Sequence, residues 1–289
     1  MIEGMRPNQL SDWRSSRRTA DFTDDVSMAA SGSHVQQAEY QHWLPLLGYT
    51  TGRHRKVWEW CFMLQALESR GLLRQGTSAI GFGVGTEPVV AALAARGVRV
   101  LATDQPVDQA GAWAPTGQHA VAAESLRRPD LCPDELFNEL VRFRPLDMLS
   151  IPIDLRGFDI AWSSCCFEHL GSPEAGFDFV LASMDTVRSG GVAVHTTELD
   201  CDSRGRLLEI GSTSNGDYAC FYRAQDLRRL IRRLRRAGHM VHCNYHVSMD
   251  HPLERRIDEQ PYSHDPHLRL RVGNHIVTSF GLTVVKSPT

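Results

Sequence analysis

The chain has 289 residues, 42% of them hydrophobic, and its 31 lysines and arginines nearly balance 34 acidic residues, for a formal charge of −3 at pH 7. This balance argues against a nucleic-acid partner held by bulk electrostatic attraction, and no apolar run approaches the roughly 20 residues of a membrane span. Seven cysteines without C-x-x-C spacing follow an N-terminus with no apolar signal core. We therefore expect free thiols and a cytoplasmic protein.

Three segments are predicted along the chain. Residues 1–35 are rich in Ser, Arg, Asp and Thr with little apolar periodicity, which predicts a flexible N-terminal tail or a lid over a site. Residues 36–75 are predicted to form a helical cap. Its longer helix, over 51–73, has apolar residues at helical spacing, namely Val57, Trp60, Cys61, Leu64 and Leu67. Residues 76–289 alternate strand and helix patterns, which predicts an α/β domain.

An apolar strand, a glycine-rich turn and a helix follow one another over residues 79–97. Gly81, Gly83 and Gly85 occupy alternate positions, where a tight turn brings bare backbone close to a ligand. The helix start adds unpaired N–H groups and the positive end of a dipole. Dinucleotides and S-adenosylmethionine both suit such a turn, but the dinucleotide pattern G-x-G-x-x-G has glycine where Thr86 stands.

The second predicted strand, over 98–104, ends in an acid. Asp104 lies 23 residues after Gly81, close to the roughly 20 expected for a carboxylate that holds ribose hydroxyls. Together, the turn and the acid predict a site for a nucleoside-bearing cofactor at the carboxyl edge of a parallel sheet. In the irregular stretch that follows, Trp113, Gln118 and His119 are either ligand contacts or loop anchors.

The later part of the chain continues the alternation of strands and helices. Strands are predicted at 143–148, 158–164, 192–199, 239–247 and 275–286, and helices at 173–191 and 224–237. The last of these helices carries six arginines opposite an apolar stripe, which predicts a solvated outer face.

These features together resemble the class I S-adenosylmethionine-dependent methyltransferases, over roughly residues 78–238. The resemblance implies a Rossmann-like α/β fold with a seven-stranded, mostly parallel sheet, an antiparallel last strand, and S-adenosylmethionine as cofactor. That family usually has an acid where this chain has Ala79, and Glu87 is the candidate substitute for holding the methionyl ammonium. The implied cofactor contacts are Gly81, Gly83, Gly85, Asp104, Asp147, Met148 and Ser163.

Two acids and two histidines follow or end adjacent predicted strands. Glu168 and His169 come after strand four, in a pair common in small-molecule O-methyltransferases of that family, and strand five contributes His195 and Glu198. One hypothesis makes His169 or His195, with Glu168 beside it, a general base on a hydroxyl. The other makes all four residues ligands of a divalent ion, with Mn²⁺, Mg²⁺, Fe²⁺ or Zn²⁺ as candidates.

Two long segments, 199–222 and 248–273, are predicted to form substrate walls, since loops of this length are usually functional. The second is rich in His, Asp, Arg and Tyr, which suits a polar acceptor. The sequence therefore predicts methyl transfer to oxygen on a polar small molecule or a glycan sugar. N-methylation of an amino sugar or metabolite, and a catalytically silent binding or scaffold protein of the same fold, are the alternatives. The oligomeric state is left open.

Overall fold

A sheet of nine strands forms the centre of the computed structural model, which describes residues 18–111, 113–201, 207–210 and 218–288. The strands in these ranges are β1 (Met28–Ala29), β2 (Ser78–Phe82), β3 (Arg99–Asp104), β4 (Val141–Pro145), β5 (Phe158–Ser164), β6 (Val187–Asp200), β7 (Leu208–Ile210), β8 (Ala219–Phe221), β9 (Ile257–Asp258), β10 (Arg269–Val272) and β11 (His275–Val285). The helices are α1 (Ala38–Leu46), α2 (Arg55–Glu68), α3 (Val89–Ala94), α4 (Asp134–Leu140), α5 (Pro173–Thr186), α6 (Ala224–Arg236) and α7 (Pro252–Arg255). Strands β7 and β8 form a separate hairpin.

The strand order in the main sheet is β4-β3-β2-β5-β6-β11-β10-β9, and β1 also pairs with β11. The strands from β4 to β6 are parallel, whereas β11 is antiparallel to β6 and β10. The predicted Rossmann-like α/β fold with an antiparallel last strand is confirmed. The sheet has nine strands rather than seven because the short strands β1 and β9 extend it.

The order of strands reverses at β2, with β3 and β4 on one side and β5 and β6 on the other. In open α/β sheets, such a reversal leaves a crevice beyond the carboxyl ends of the strands, and ligands bind there. The topology therefore positions a site at the ends of β2, β3 and β5.

The strand predicted over 239–247 is wrong. In the described residues this segment makes only isolated bridges, at Met240 and Cys243. The edge of β11 that it was expected to cover is occupied by β1 and β10. The strand that forms a tight hairpin with β11 is β10, which lies in the segment predicted as a long loop.

Residues 18–35 are built into the fold, which differs from the predicted tail or lid over 1–35. Phe22 and Met28 are buried, and Met28 belongs to β1. The Nε1 of Trp58 on α2 donates to Nδ1 of His34 at 2.9 Å. An extended segment that pairs with one strand shows little helical periodicity, so its burial was invisible in the sequence. Residues 1–17 lie outside the described residues.

Helix α2 lies directly on the sheet, so 36–75 is a structural layer rather than a cap. The ring of Phe62 fills the space above Gly281 of β11, 2.2 Å from where a Cβ would stand. Helices α1 to α4 bury their apolar side chains on one face of the sheet, and α5 and α6 bury theirs on the other.

Helix α5 begins at Pro173 as predicted, where Ser172 caps it by accepting the N–H of Ala175 at 3.1 Å. It ends at Thr186, and residues 187–191, predicted as its last turn, belong to β6 instead. On α6 the apolar stripe is buried, and Arg229 and Arg233 pair with acids of α5.

All seven cysteines lie in the described part of the chain, and none is in a disulfide, as predicted. Within the same ranges, no helix combines the length and apolar character needed to cross a bilayer.

Candidate functional site

A cavity of about 720 Å³ opens at the carboxyl ends of β2, β3 and β5, where the strand order reverses. Its volume is in the range of small-molecule and cofactor pockets. Several of the predicted site residues line it, namely Gly83, Gly85, Glu87, Asp104, Asp147, Met148 and His169. Trp113, Gln118 and His119 from the irregular stretch after β3 line it as well.

The turn after β2 requires glycine at two positions. Gly83 and Gly85 have φ values of +55° and +54°, a left-handed backbone that side chains disfavour. A Cβ on Gly85 would stand 2.7 Å from the carbonyl oxygen of Gln118, and one on Gly83 would stand 2.9 Å from Sγ of Cys166. The turn is therefore shaped so that backbone, rather than side chains, borders the cavity.

Gly81 has a different role from the one predicted. It lies within β2 and is not among the described residues that line the cavity. The ring of Trp162 on β5 packs 2.2 Å from where its Cβ would be. Gly81 therefore permits close side-chain packing on the sheet, and its assignment as a cofactor contact is corrected.

Asp104 ends β3 at the rim of the cavity and organises the loops around it. Its Oδ2 accepts the backbone N–H groups of Gly85 and Ala120, each at 3.0 Å, and its Oδ1 accepts that of Gln105 at 2.8 Å. Burial raises the pKa of this carboxyl, against the opposing effect of these hydrogen bonds. The carboxylate thus joins the glycine turn to the loop after β3 and still borders the cavity.

Glu87 is held by two side chains of α2, Lys56 and Trp60, for which the sequence analysis predicted no contact with the site. Lys56 Nζ and Trp60 Nε1 each donate to its carboxylate at 2.8 Å. Lys56, Trp60, Tyr49 and Arg128 also line the cavity. The sequence signal for these contacts was the position of three charged residues, Arg55, Lys56 and Glu59, in the first turns of a helix with an apolar stripe.

A network of buried charges lies behind Lys56. Glu59 is fully buried and accepts hydrogen bonds from Ser164 at 3.2 Å and Thr196 at 3.0 Å, and from Ser279. Lys56 and Arg55 hold the pKa of Glu59 below its usual range despite burial. This network joins α2 to β5, β6 and β11, so it anchors the helix that supplies Lys56 to the cavity.

Glu198 belongs to the same network and not to a metal site. Its carboxylate forms an ion pair with Arg55. A cationic partner this close competes with any metal ion for the carboxylate. The assignment of Glu198 as a metal ligand is therefore corrected.

His195 is neither a base at the cavity nor a metal ligand. It is 0% exposed, its Nδ1 lies 2.8 Å from Oγ of Ser163 and its Nε2 lies 3.1 Å from Oγ of Ser183 on α5. Burial lowers its pKa to about 3, so the ring stays neutral. Side chains alternate between the faces of a strand, and this one points toward α5. Ser163, its partner, is also fully buried and is corrected as a cofactor contact.

Glu168 and His169 lie next to each other in the short 3₁₀ turn Phe167–His169, but their side chains have different surroundings. His169 lines the cavity, and its Nδ1 lies 3.0 Å from the carbonyl oxygen of Tyr218. Glu168 is fully buried away from the described lining; its Oε2 accepts from Thr197 at 3.0 Å, and its Oε1 has no hydrogen-bond partner among the described residues. Burial raises its pKa to about 7.

The four predicted metal ligands are not brought together. Among the described residues, Glu168, His169, His195 and Glu198 do not form a group whose ligand atoms converge. The donor set therefore does not fit the predicted divalent ion at this site, and that hypothesis is corrected.

The predicted substrate walls are represented by one residue. Among the described lining residues, Tyr218 comes from segment 199–222, and segment 248–273 contributes none. Parts of the first segment, 202–206 and 211–217, lie outside the described residues. The second segment instead contains α7 and supplies β9 and β10, which form the edge of the sheet opposite β4.

The fold and the cavity define a Rossmann-like α/β protein with a pocket at its switch point. No protein-family model matches the chain, and no curated protein matches it.

Similar solved structures include three methyltransferases. One is an S-adenosylmethionine-dependent methyltransferase from Methanosarcina mazei (14% identity, 76% of this chain and 97% of that chain, TM-score 0.47). Another is magnesium protoporphyrin IX methyltransferase from Synechocystis with bound SAH (11% identity, 78% of this chain and 80% of that chain, TM-score 0.45). A third is an S-adenosylmethionine-dependent methyltransferase from Mesorhizobium loti (14% identity, 76% of this chain and 98% of that chain, TM-score 0.45). At such low identity, the ligand of this chain has to be inferred from its own site.

Proposed function

We propose that this chain is a methyltransferase that uses S-adenosylmethionine and transfers the methyl group to oxygen on a polar small molecule or a glycan sugar. The observation that carries the proposal is a left-handed glycine turn hydrogen-bonded to Asp104 at the border of the switch-point cavity. Bare backbone and a carboxylate on neighbouring strand ends are what a nucleoside-bearing ligand requires.

The residues around the cavity fit that cofactor in three places. The backbone of Gly83 and Gly85 leaves room for it to approach, and Asp104 offers its carboxylate to ribose hydroxyls. Asp147 and Met148 border the part of the cavity after β4, where an adenine ring would lie. When bound, S-adenosylmethionine supplies a methyl group on a sulfonium whose thioether leaves without needing a proton.

Lys56 and Arg128 are the lysine and arginine side chains among the described residues that line the cavity. The ammonium group of Lys56 lies between Glu87 and Glu59, at 2.8 Å and 3.4 Å. In this arrangement Glu87 is already paired, so it is a poor acceptor for a methionyl ammonium.

His169 is the proposed general base. The carbonyl oxygen of Tyr218 can only accept a hydrogen bond, so Nδ1 of His169 carries the proton in the neutral ring. The lone pair is then on Nε2, which can remove the proton of a hydroxyl as it is methylated. This tautomer favours an oxygen acceptor over an amine, which needs less help in losing a proton.

Calorimetry and product formation together test the proposal. S-Adenosylmethionine should bind the purified chain, and a screen of sugars and polar metabolites with a labelled donor should give a methylated product. Asp185→Ala, an exposed position on α5, is the control for Asp104→Ala. No cofactor binding at millimolar ligand would contradict the proposal, and binding without any product would favour the silent scaffold alternative.

A further inference from the structure

Three histidines converge at the N-terminal end of α2. His54 immediately precedes α2, and His264 and His267 lie in the segment between β9 and β10. One nitrogen from each ring lies within 4.8 Å of the other two. None of the three is among the described residues that line the cavity. The cluster is therefore a feature separate from the proposed active site.

The loop that carries two of these rings is organised around one carboxylate. Asp258 is buried and accepts the backbone N–H of Ser263 and of His264, each at 2.9 Å. It also accepts from Nδ1 of His267 at 2.6 Å. That bond places the proton of the neutral His267 ring on Nδ1 and leaves the lone pair on Nε2. A carboxylate behind a histidine is the usual arrangement for orienting a metal ligand.

The third ring is held in place by backbone hydrogen bonds. The N–H of Arg55 donates to the carbonyl oxygen of His267 at 3.0 Å, and the N–H of His267 donates to that of Arg53 at 2.8 Å. These bonds tie the start of α2 to the loop. As a result the rings of His54 and His267 stack with centroids 4.5 Å apart.

We propose that His54, His264 and His267 bind one divalent transition-metal ion of the Zn²⁺ type. For ligand atoms no more than 4.8 Å apart, a central point lies within about 2.8 Å of each nitrogen, and zinc–imidazole bonds are about 2.0–2.1 Å long. A contraction of under about 1 Å per side chain completes the coordination. Imidazole nitrogens favour zinc and its neighbours in the first transition row over the hard ions Mg²⁺ and Ca²⁺.

Binding at His54 has a consequence for α2. Nδ1 of His54 accepts the N–H of Lys56 at 3.1 Å and so caps the helix. A neutral imidazole has one nitrogen lone pair available, and this hydrogen bond uses it. An ion bound at Nδ1 displaces the N–H of Lys56 directly. An ion bound at Nε2 requires the ring proton to move to Nδ1, which then no longer accepts a hydrogen bond. Metal binding has to replace this one hydrogen bond, and it releases the N–H of Lys56, the residue whose side chain reaches the cavity. The site is thus coupled to the start of α2.

Titration calorimetry on the chelator-treated full chain tests the site, with ZnCl₂ as the probe. One Zn²⁺ per chain should bind with a dissociation constant below about 10 µM, and Mg²⁺ at the same concentration should not bind. The test variant is His264→Asn, because His264 is exposed and asparagine tolerates its φ of +61°. The matched control is His42→Asn, at an exposed histidine of α1.

The expected result is that His264→Asn weakens zinc binding at least about tenfold, while His42→Asn binds as the parent chain does. Thermal unfolding of each variant without metal shows that both are folded. Equal zinc affinity in the parent and in His264→Asn would overturn the proposal, because it would locate the ion elsewhere, for example at cysteine thiols. Absence of zinc binding at a concentration 100-fold above the expected dissociation constant would overturn the proposal as well, and so would equal affinity for Mg²⁺.

Discussion

At the scale of single residues, the carboxylate of Asp104 both joins two loops through hydrogen bonds and borders the cavity. Asp104→Ala is expected to weaken S-adenosylmethionine binding at least tenfold, since charge-assisted hydrogen bonds contribute roughly 1.5–3 kcal/mol each. Asp104→Asn should be nearly as damaging, because one of its two polar atoms becomes an N–H donor where Oδ1 and Oδ2 now both accept backbone N–H groups. Calorimetry measures both variants. Parent-like affinity in the alanine variant would place the ribose elsewhere.

His169 carries the prediction about the acceptor atom. His169→Gln is expected to lower kcat by about 10²–10⁴-fold, the usual contribution of a positioned base. Cofactor affinity should change little. A parent-like rate would remove His169 from catalysis and favour an amine acceptor.

Glu168 gives a stability prediction whose sign depends on pH. Burial raises its folded-state pKa from 4.5 to about 7, so the folded chain holds this proton more tightly than the unfolded chain. The ionised carboxylate therefore costs stability in full above pH 7 and not at all below about pH 4.5.

Glu168→Gln removes the ionisation and should raise the free energy of unfolding at pH 8 by up to about 3 kcal/mol. The gain should shrink as the pH falls to 5. Urea unfolding at the two pH values measures this difference. A gain that is larger at pH 5 than at pH 8 would contradict the assignment.

At the scale of elements, α2 links the sheet to the site, because its side chains pack on the sheet and also line the cavity. Its close approach to the sheet depends on Gly281 of β11, which leaves room for the ring of Phe62 of α2. Gly281→Ala should destabilise the fold by about 1–3 kcal/mol through overpacking. Because the two residues touch, Phe62→Leu should relieve part of this cost in the double variant.

The control for this prediction is Gly111→Ala, since a Cβ at Gly111 meets nothing within 4 Å. Thermal or urea unfolding of the parent, the two single variants Gly281→Ala and Phe62→Leu and the double variant gives the coupling free energy between the two residues. Strict additivity of Gly281→Ala and Phe62→Leu would show that α2 does not rest on β11 at this point.

At the scale of the whole molecule, the chain before α1 closes the fold. Residues 18–35 supply β1 and the buried side chains of Phe22, Met28 and His34. A chain that starts at residue 36 loses all of these contacts, and loss of one buried phenylalanine alone costs about 3–5 kcal/mol. We expect it to lack a cooperative unfolding transition. A chain that starts at residue 18 keeps every described contact and is the matched comparison. Equal melting temperatures of the two would contradict the described packing.

Much of the architecture was predictable because it is encoded in local patterns. The glycine turn, the acid at the end of β3 and the apolar stripes of α2 and α6 each lie within a short stretch of sequence. The parallel order of β2 to β6 follows from the alternation of strands and helices. The prediction of a strand at 239–247 failed because an alternating pattern does not say which segment pairs with a given strand, and here β1 and β10 pair with β11.

Site residues whose positions follow from turns and strand ends were predictable, and site residues whose positions depend on packing between elements were not. Gly83, Gly85, Asp104 and His169 lie at the cavity because turns and strand ends place them there. His195 and Glu198 do not, because a strand alternates its side chains between two faces and only packing against α5 and α2 decides which face is covered.

The sequence by itself determined the class of fold, the position of the glycine turn and the presence of an acid after the second strand of the α/β alternation, since these depend on residues close together in the chain. Only the tertiary structure decided which polar residues meet. Lys56 reaches Glu87, Arg55 neutralises Glu198, and His54 joins His264 and His267 across more than two hundred residues of sequence. Such contacts depend on how α2 lies on the sheet, and local periodicity carries no information about that placement.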